Sequence, residues 1–192
     1  MRNAHASLQH RPFLIPIWLT GIAVFALFAI FSLAVLTGWN LLTADSTTVI
    51  VIRHAEKDTV NPADPALSAT GQARAVQLAR MFGEPQAFGR LDAIYVSATL
   101  RSRSTAAPLA ERLGIVPIET GAEDSKGLAR RVLRENRGKR VMVIGHVDTV
   151  PGIVAALSGR SNIPPIDDQD FATIYVVTVP RIGRANLLRL RY

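Results

Sequence analysis

Val49-Ile50-Val51-Ile52-Arg53-His54-Ala55-Glu56-Lys57 decides the reading of this chain. Four β-branched residues in an unbroken row have no polar face. That is the pattern of a strand buried on both sides, and such strands occur in parallel sheets covered by helices. The row then stops at an arginine and a histidine. Two further runs repeat the design: Ala93 to Val96 leads into Ser97 with Arg101 four residues later, and Val141 to Ile144 leads into Gly145 and His146. In open α/β sheets ligands bind outside the carboxyl ends of the strands, so these polar residues can converge on one pocket.

Helical patterns fill the intervals. Ser68 to Phe82 has a serine start signal and Gly83 behind it, Leu100 to Leu113 follows the second strand, Lys126 to Asn136 ends near Gly138, and Val150 to Leu157 follows the third strand. Ile115 to Ile118 is expected as a short edge strand. The end of the chain differs: Ala172 to Val179 and Ala185 to Leu190 are β-rich runs joined through Pro180 and Gly183, the pattern of an antiparallel pair. Residues 48–192 therefore read as one α/β domain.

What precedes the domain is of another kind. Phe13 to Leu36 carries no charge, and the uncharged stretch extends from Pro12 to Ala44. A bilayer span needs about 20 apolar residues, so residues 13–36 are expected to form one transmembrane helix, with residues 37–47 as a linker. A cleaved signal peptide, processed near Ala44, is the competing reading. Arg2 and Arg11 precede the helix while Thr37 to Ile52 contains no Lys or Arg, which predicts a cytoplasmic segment 1–12. The expectation is a single-pass protein of the inner membrane whose domain lies outside the cytoplasm, in the periplasm of a Gram-negative cell.

Composition narrows the chemistry. The chain has no cysteine, which removes disulfides, thiolate nucleophiles and Cys-containing metal sites together. It holds 22 Lys plus Arg against 15 Asp plus Glu, a balance that favours anionic partners. The basic stretch from Lys126 to Arg140 has an inner stripe of Leu128, Val132 and Leu133, so it reads as the outer face of an amphipathic helix. No nucleic-acid motif accompanies it, and no nucleic-acid partner is expected. Asp167, Asp168 and Asp170 lack the glycine and terminal glutamate of a calcium loop. His5 and His10 precede the apolar segment and cannot complete a site beyond it.

Two histidines and two arginines remain for the pocket. Planar guanidinium groups match the oxygens of a phosphoryl group and stay charged at any physiological pH. Their positive charge also disfavours protonation of a nearby imidazole, keeping it neutral and nucleophilic. The expected ligand is a phosphate ester.

Four blocks in order carry a family resemblance: V-I-V-I-R-H-A-E-K at Val49 to Lys57, L-S-A-T-G-Q-A-R-A at Leu67 to Ala75, I-Y-V-S-A-T-L-R-S-R-S-T-A at Ile94 to Ala106, and V-M-V-I-G-H-V-D-T-V-P at Val141 to Pro151. The chain resembles the histidine phosphatase superfamily, the phosphoglycerate-mutase-like proteins, with Ala55 where the family's R-H-G-E signature has glycine. The resemblance implies a three-layer α/β/α domain with a mostly parallel central sheet. It implies His54 as the nucleophile that becomes phosphohistidine, Arg53 and Arg101 as ligands of the phosphoryl oxygens, and His146 as a hydrogen-bond donor to them. No metal or cofactor is needed. Ser97 is expected either as a phosphate contact or as a helix cap. Asp148 is the first candidate for the acid that protonates the leaving alcohol, Glu123 and Asp124 the second, and Glu56 is expected to orient the pocket.

The expected activity is phosphomonoester hydrolysis on a phosphorylated small molecule or an envelope glycan such as a cell-envelope phosphosugar. A non-catalytic membrane-tethered phosphate-binding module is the alternative from another class, and a phosphoglycerate-type mutase is the other enzyme reading. The short domain shows few insertions that could form the lid a mutase needs.

Overall fold

The computed structural model describes residues 17–42, 46–84, 89–121 and 124–192. The segment 1–12, with His5 and His10, the processing position Ala44 and Glu123 lie outside the described residues. Two compact units divide between Thr43 and Ala44.

The first unit contains helix α1 (Ile17–Leu42). It is longer than the expected span, running through six positions assigned to the linker. Phe25, Phe28 and Phe31 are each about two-thirds or more exposed. Gly21–Gly38 is long and apolar enough to cross a membrane, or to act as a signal sequence, by length and composition.

The second unit follows the order β1 (Thr47–Arg53), α2 (Ala69–Phe82), β2 (Ala93–Ser97), α3 (Leu100–Leu113), β3 (Ile118–Thr120), α4 (Ser125–Glu135), β4 (Arg140–Gly145), α5 (Val150–Ser158), β5 (Thr173–Val179) and β6 (Asn186–Arg191). The six strands form one sheet in the order β3-β2-β4-β1-β5-β6. The first four are mutually parallel, and β5 and β6 add antiparallel neighbours on one side. β4 is therefore inserted between β1 and β2, the first two strands in sequence.

The alternation of side chains along β1 sorts the core into two halves. Val49 and Val51 face Leu128 and Val132 of α4 and Ile153, Val154 and Leu157 of α5. Ile50 and Ile52 face Leu78 and Phe82 of α2 and Leu109 and Leu113 of α3. All four β1 residues are at most 1% exposed, which explains why the run has no polar face. Each such burial stabilises by roughly 1.5–3 kcal/mol. The result is the three-layer α/β/α arrangement with a mostly parallel sheet.

One element begins later than expected. Gly114 closes α3 in the left-handed conformation, and Ile115 N–H donates to Ala110 O. Val116 is 86% exposed and Pro117 has no N–H for a ladder, so the edge strand starts at Ile118, the last residue of the segment expected.

Candidate active site

β1 and β4 lie side by side with Arg53 opposite Gly145, and His54 N–H donates to Gly145 O at 3.0 Å. His54 and His146 each follow the end of one strand, and their rings approach to 5.2 Å between centroids at an interplanar angle of 63°. Arg101 enters from the first turn of α3 and donates its Nε–H to His54 Nε2 at 3.2 Å. His54 Nδ1 lies 2.7 Å from Ala55 O. A carbonyl can only accept and a guanidinium can only donate. Both contacts therefore select one tautomer, with the proton on Nδ1 and the free lone pair on Nε2.

Arg53 is buried and held by backbone atoms. Its Nη1 donates to Asp168 O at 2.8 Å and Asp167 O at 3.3 Å, while its Cζ stacks 4.0 Å from the centre of the Phe171 ring. Its Nε–H is buried without a partner, a donor left over for a ligand. Arg53, His54, Arg101, His146 and Asp148 line one cleft of about 860 Å³, together with Lys57, Asp168 and Gln169.

The loop carrying His54 is fixed from below by α2. Ser68 caps α2 by accepting from Gly71 N–H at 3.1 Å, and Ser68 N–H donates to Glu56 O at 2.9 Å. Gly71 is required by close approach: a Cβ there would stand 2.1 Å from Glu56 O. The Glu56 carboxylate accepts a two-pronged contact from Arg74, with Nε at 2.8 and 2.9 Å and Nη2 at 2.6 Å. The Glu56 side chain is thus pinned to α2 beside the segment that carries His54. On the other side Thr105 Oγ1 accepts from Ala55 N–H at 3.0 Å and donates to Arg101 O at 2.7 Å, tying the loop that carries His54 to α3.

Ser97 departs from the expectation of a helix cap. It does not cap α3, whose N-cap is Thr99. Its hydroxyl sits 2.8 Å from His146 Nε2, 2.7 Å from Ser102 Oγ and 3.1 Å from Thr99 Oγ1. It stands behind His146 instead of in the cleft. Asp124 is also elsewhere: its carboxylate caps α4 through Gly127 N–H.

The electrostatics follow from this packing. Burial, with His146, Arg101 and Arg53 adding to it, pushes the His54 imidazole down to about 4 against the hydrogen bond to Ala55 O. Burial and the Arg101 charge push His146 below its ordinary value, with Asp148 opposing. Burial pushes the Glu56 carboxyl up, but its hydrogen bonds, chiefly from Arg74, outweigh this and hold it below the usual carboxylate range. At neutral pH the site therefore presents two neutral imidazoles between two cationic guanidiniums. That arrangement can hold a tetrahedral oxyanion and offer a nitrogen lone pair beside it.

Sequence reasoning missed Phe171, Arg74 and Asp64. Asp64 accepts from Leu100 N–H at 3.0 Å and lies 3.8 Å from Arg101 Nη1, aligning the arginine. None of the three had a local signal beyond the general family block around Arg74.

Residues 49–123 match the Histidine phosphatase superfamily (branch 1). No curated protein matches the chain in sequence. Among solved structures, the protein histidine phosphatase SixA complexed with tungstate is similar over 75% of this chain and 96% of its own, at TM-score 0.61 and 19% identity. The putative phosphohistidine phosphatase SixA from Agrobacterium tumefaciens matches 74% of this chain and 97% of its own, at TM-score 0.55 and 22% identity. A mycobacterial glucosyl-3-phosphoglycerate phosphatase matches 74% of this chain and 97% of its own, at TM-score 0.58 and 18% identity. At these identities the likeness is one of fold. The matched segment carries Arg53, His54, Ser97 and Arg101.

Proposed function

We propose that this chain is a histidine phosphatase that hydrolyses phosphate monoesters through a covalent phosphohistidine on His54, without a metal ion. The observation that carries the reading is the fixed tautomer of His54, whose Nε2 lone pair lies beside the Arg101 guanidinium in a cleft that Arg53 and His146 also line. Nε2 forms the N–P bond as the ester P–O bond breaks, and the departing oxygen takes a proton from Asp148. Water then attacks phosphorus, the N–P bond breaks, and the proton of the water returns to Asp148. Arg53 and Arg101 hold the phosphoryl oxygens. His146, whose Nε2 is paired with Ser97 Oγ, lies against the phosphoryl oxygens as charge develops.

The full-length protein in detergent should hydrolyse an aryl phosphate in the presence of a chelator. A brief incubation should leave an acid-labile phosphoryl group that maps to His54, and His54→Ala should abolish both signals. Equal turnover in wild type and variant rejects the nucleophile. Phosphate binding without turnover favours the non-catalytic module, and retention of the phosphoryl group on a second substrate hydroxyl favours a mutase.

The charge asymmetry around α1 supports a retained inner-membrane anchor with the domain on the extracytoplasmic side and a phosphorylated envelope component, such as a phosphosugar, as substrate. Protease added to intact spheroplasts should digest the domain; complete protection reverses the orientation.

A further inference from the structure

A second cavity, of about 320 Å³, lies at the C-terminal ends of β2, β3 and β4, and His146 belongs to its wall and to the wall of the catalytic cleft. Among the described residues no Lys, Arg, Asp or Glu lines it. Leu128, Ile144 and Ile153 supply apolar surface, and Ser97, Thr99, Thr120, Ser125 and Thr149 supply hydroxyls. Those hydroxyl protons are already committed inward. Thr120 Oγ1 donates to Val96 O at 3.1 Å, Ser125 Oγ to Thr149 O at 3.1 Å, and Thr149 Oγ1 to His146 O at 3.3 Å. What these three have left for a ligand is lone pairs, which accept hydrogen bonds.

Three helix N-termini reach the rim of this cavity: two are capped by a carboxylate of the chain, and at α5 the Thr149 and Val150 N–H groups donate to His146 O while Pro151 has no N–H. Asp124 accepts from the first turn of α4, and Asp64 accepts from Leu100 N–H at the start of α3. Among the described residues a ligand carboxylate would meet no cation, committed hydroxyl protons and three helix ends whose leading N–H groups are engaged. A neutral group that donates hydrogen bonds meets acceptors above an apolar floor.

We infer that this cavity receives the alcohol portion of the substrate, and that the alcohol is an uncharged, hydroxyl-bearing group, in contrast to acid-bearing alcohols such as glycerate or serine. The inference rests on the phosphatase reading above. With phosphorus facing His54, the ester substituent passes over the His146 ring into the cavity. His146 then touches the phosphoryl group on one side and bounds the alcohol on the other.

The test compares kcat/KM of the full-length protein in detergent for α-D-glucose 1-phosphate with that for 3-phosphoglycerate and phosphoserine. The neutral ester should be preferred by roughly tenfold or more, because an uncompensated charge in such a pocket is strongly rejected. Equal or reversed preference overturns the inference. Ala98, exposed and lining the same cavity, gives the second arm. Ala98→Phe should lower kcat/KM for glucose 1-phosphate at least fivefold more than for phosphoramidate, whose leaving group is ammonia and needs no such cavity; an equal effect on both overturns it. Phosphoramidate also separates the two failures. If it forms phospho-His54 while the ester preference is reversed, only the cavity assignment falls. If it forms none, the phosphatase reading falls and takes the assignment with it.

Discussion

Replacing Gly71 with alanine puts one methyl group against the backbone of Glu56, two residues after the proposed nucleophile His54. The new Cβ would stand 2.1 Å from Glu56 O and 3.0 Å from Glu56 C and N, whereas real Cβ contacts do not fall below 3.0 Å. No rotamer relieves this overlap, because both sides are backbone. The first turn of α2 and the segment 54–56 must separate by about 1 Å. Overpacking of this kind costs about 1–3 kcal/mol, and the better helix propensity of alanine offsets about 1 kcal/mol. With a rigid carbonyl as the obstacle the net loss should be about 2 kcal/mol, or about 4–8 °C in the Tm of a domain this size. Activity should suffer more than stability. A displacement of about 1 Å in a reacting group can cost about a hundredfold, and Glu56 is two residues from His54. Thermal melts and kcat/KM on an aryl phosphate, measured on the same preparation, read both effects. A Tm within a degree of wild type together with unchanged kcat/KM would refute the claim that α2 sets the position of the nucleophile.

Four other outcomes are expected. The kcat/KM profile should keep its activity down to an acid limb near pH 4, where the His54 imidazole gains its proton. The same depressed value makes a stability statement: the unfolded chain protonates His54 first, at its ordinary 6.5, so stability is complete above pH 6.5 and falls by about 3 kcal/mol as the pH drops to 4. Urea unfolding of wild type and His54→Gln at pH 7 and pH 4.5 checks this, since the variant should lack that part of the loss. Ser97→Ala should slow phosphoenzyme formation by about 10–100-fold with little change in Tm, and Ser97→Thr should restore most of it, because what is lost is the partner of His146 Nε2. Asp148→Asn should slow phosphoenzyme formation from alkyl phosphates by about a hundredfold or more while sparing its formation from p-nitrophenyl phosphate, whose leaving group departs without a proton.

What could be read before any coordinates existed was whatever a strand announces by itself. β1, β2 and β4 are continuous apolar runs because helices cover both of their faces, and each run stops where a polar residue is wanted, so Arg53, His54 and His146 stood out. Arg101 followed from its spacing after β2. The contacts that were illegible run through groups that every residue possesses. Arg53 is gripped by the carbonyls of Asp167 and Asp168, which no side-chain pattern encodes, and the Phe171 ring on which it stacks arrives from a coil segment after α5. Ser97 could have turned either way on inspection of its neighbours alone. Its direction is set by the pairing of β2 with β4, which places His146 within its reach. The late start of β3 was encoded in Pro117, whose missing donor outweighs the β propensity of Ile115 and Val116.

The bond from His54 N–H to Gly145 O hangs nucleophile and second imidazole from adjoining rungs of one parallel ladder. Their spacing is consequently inherited from the sheet's own repeat and cannot be adjusted by any change short of breaking its middle. Changes to the site are better made in the coil segments 57–67 and 160–172. Anyone wishing to retarget this scaffold should rebuild its rim and leave the ladder untouched.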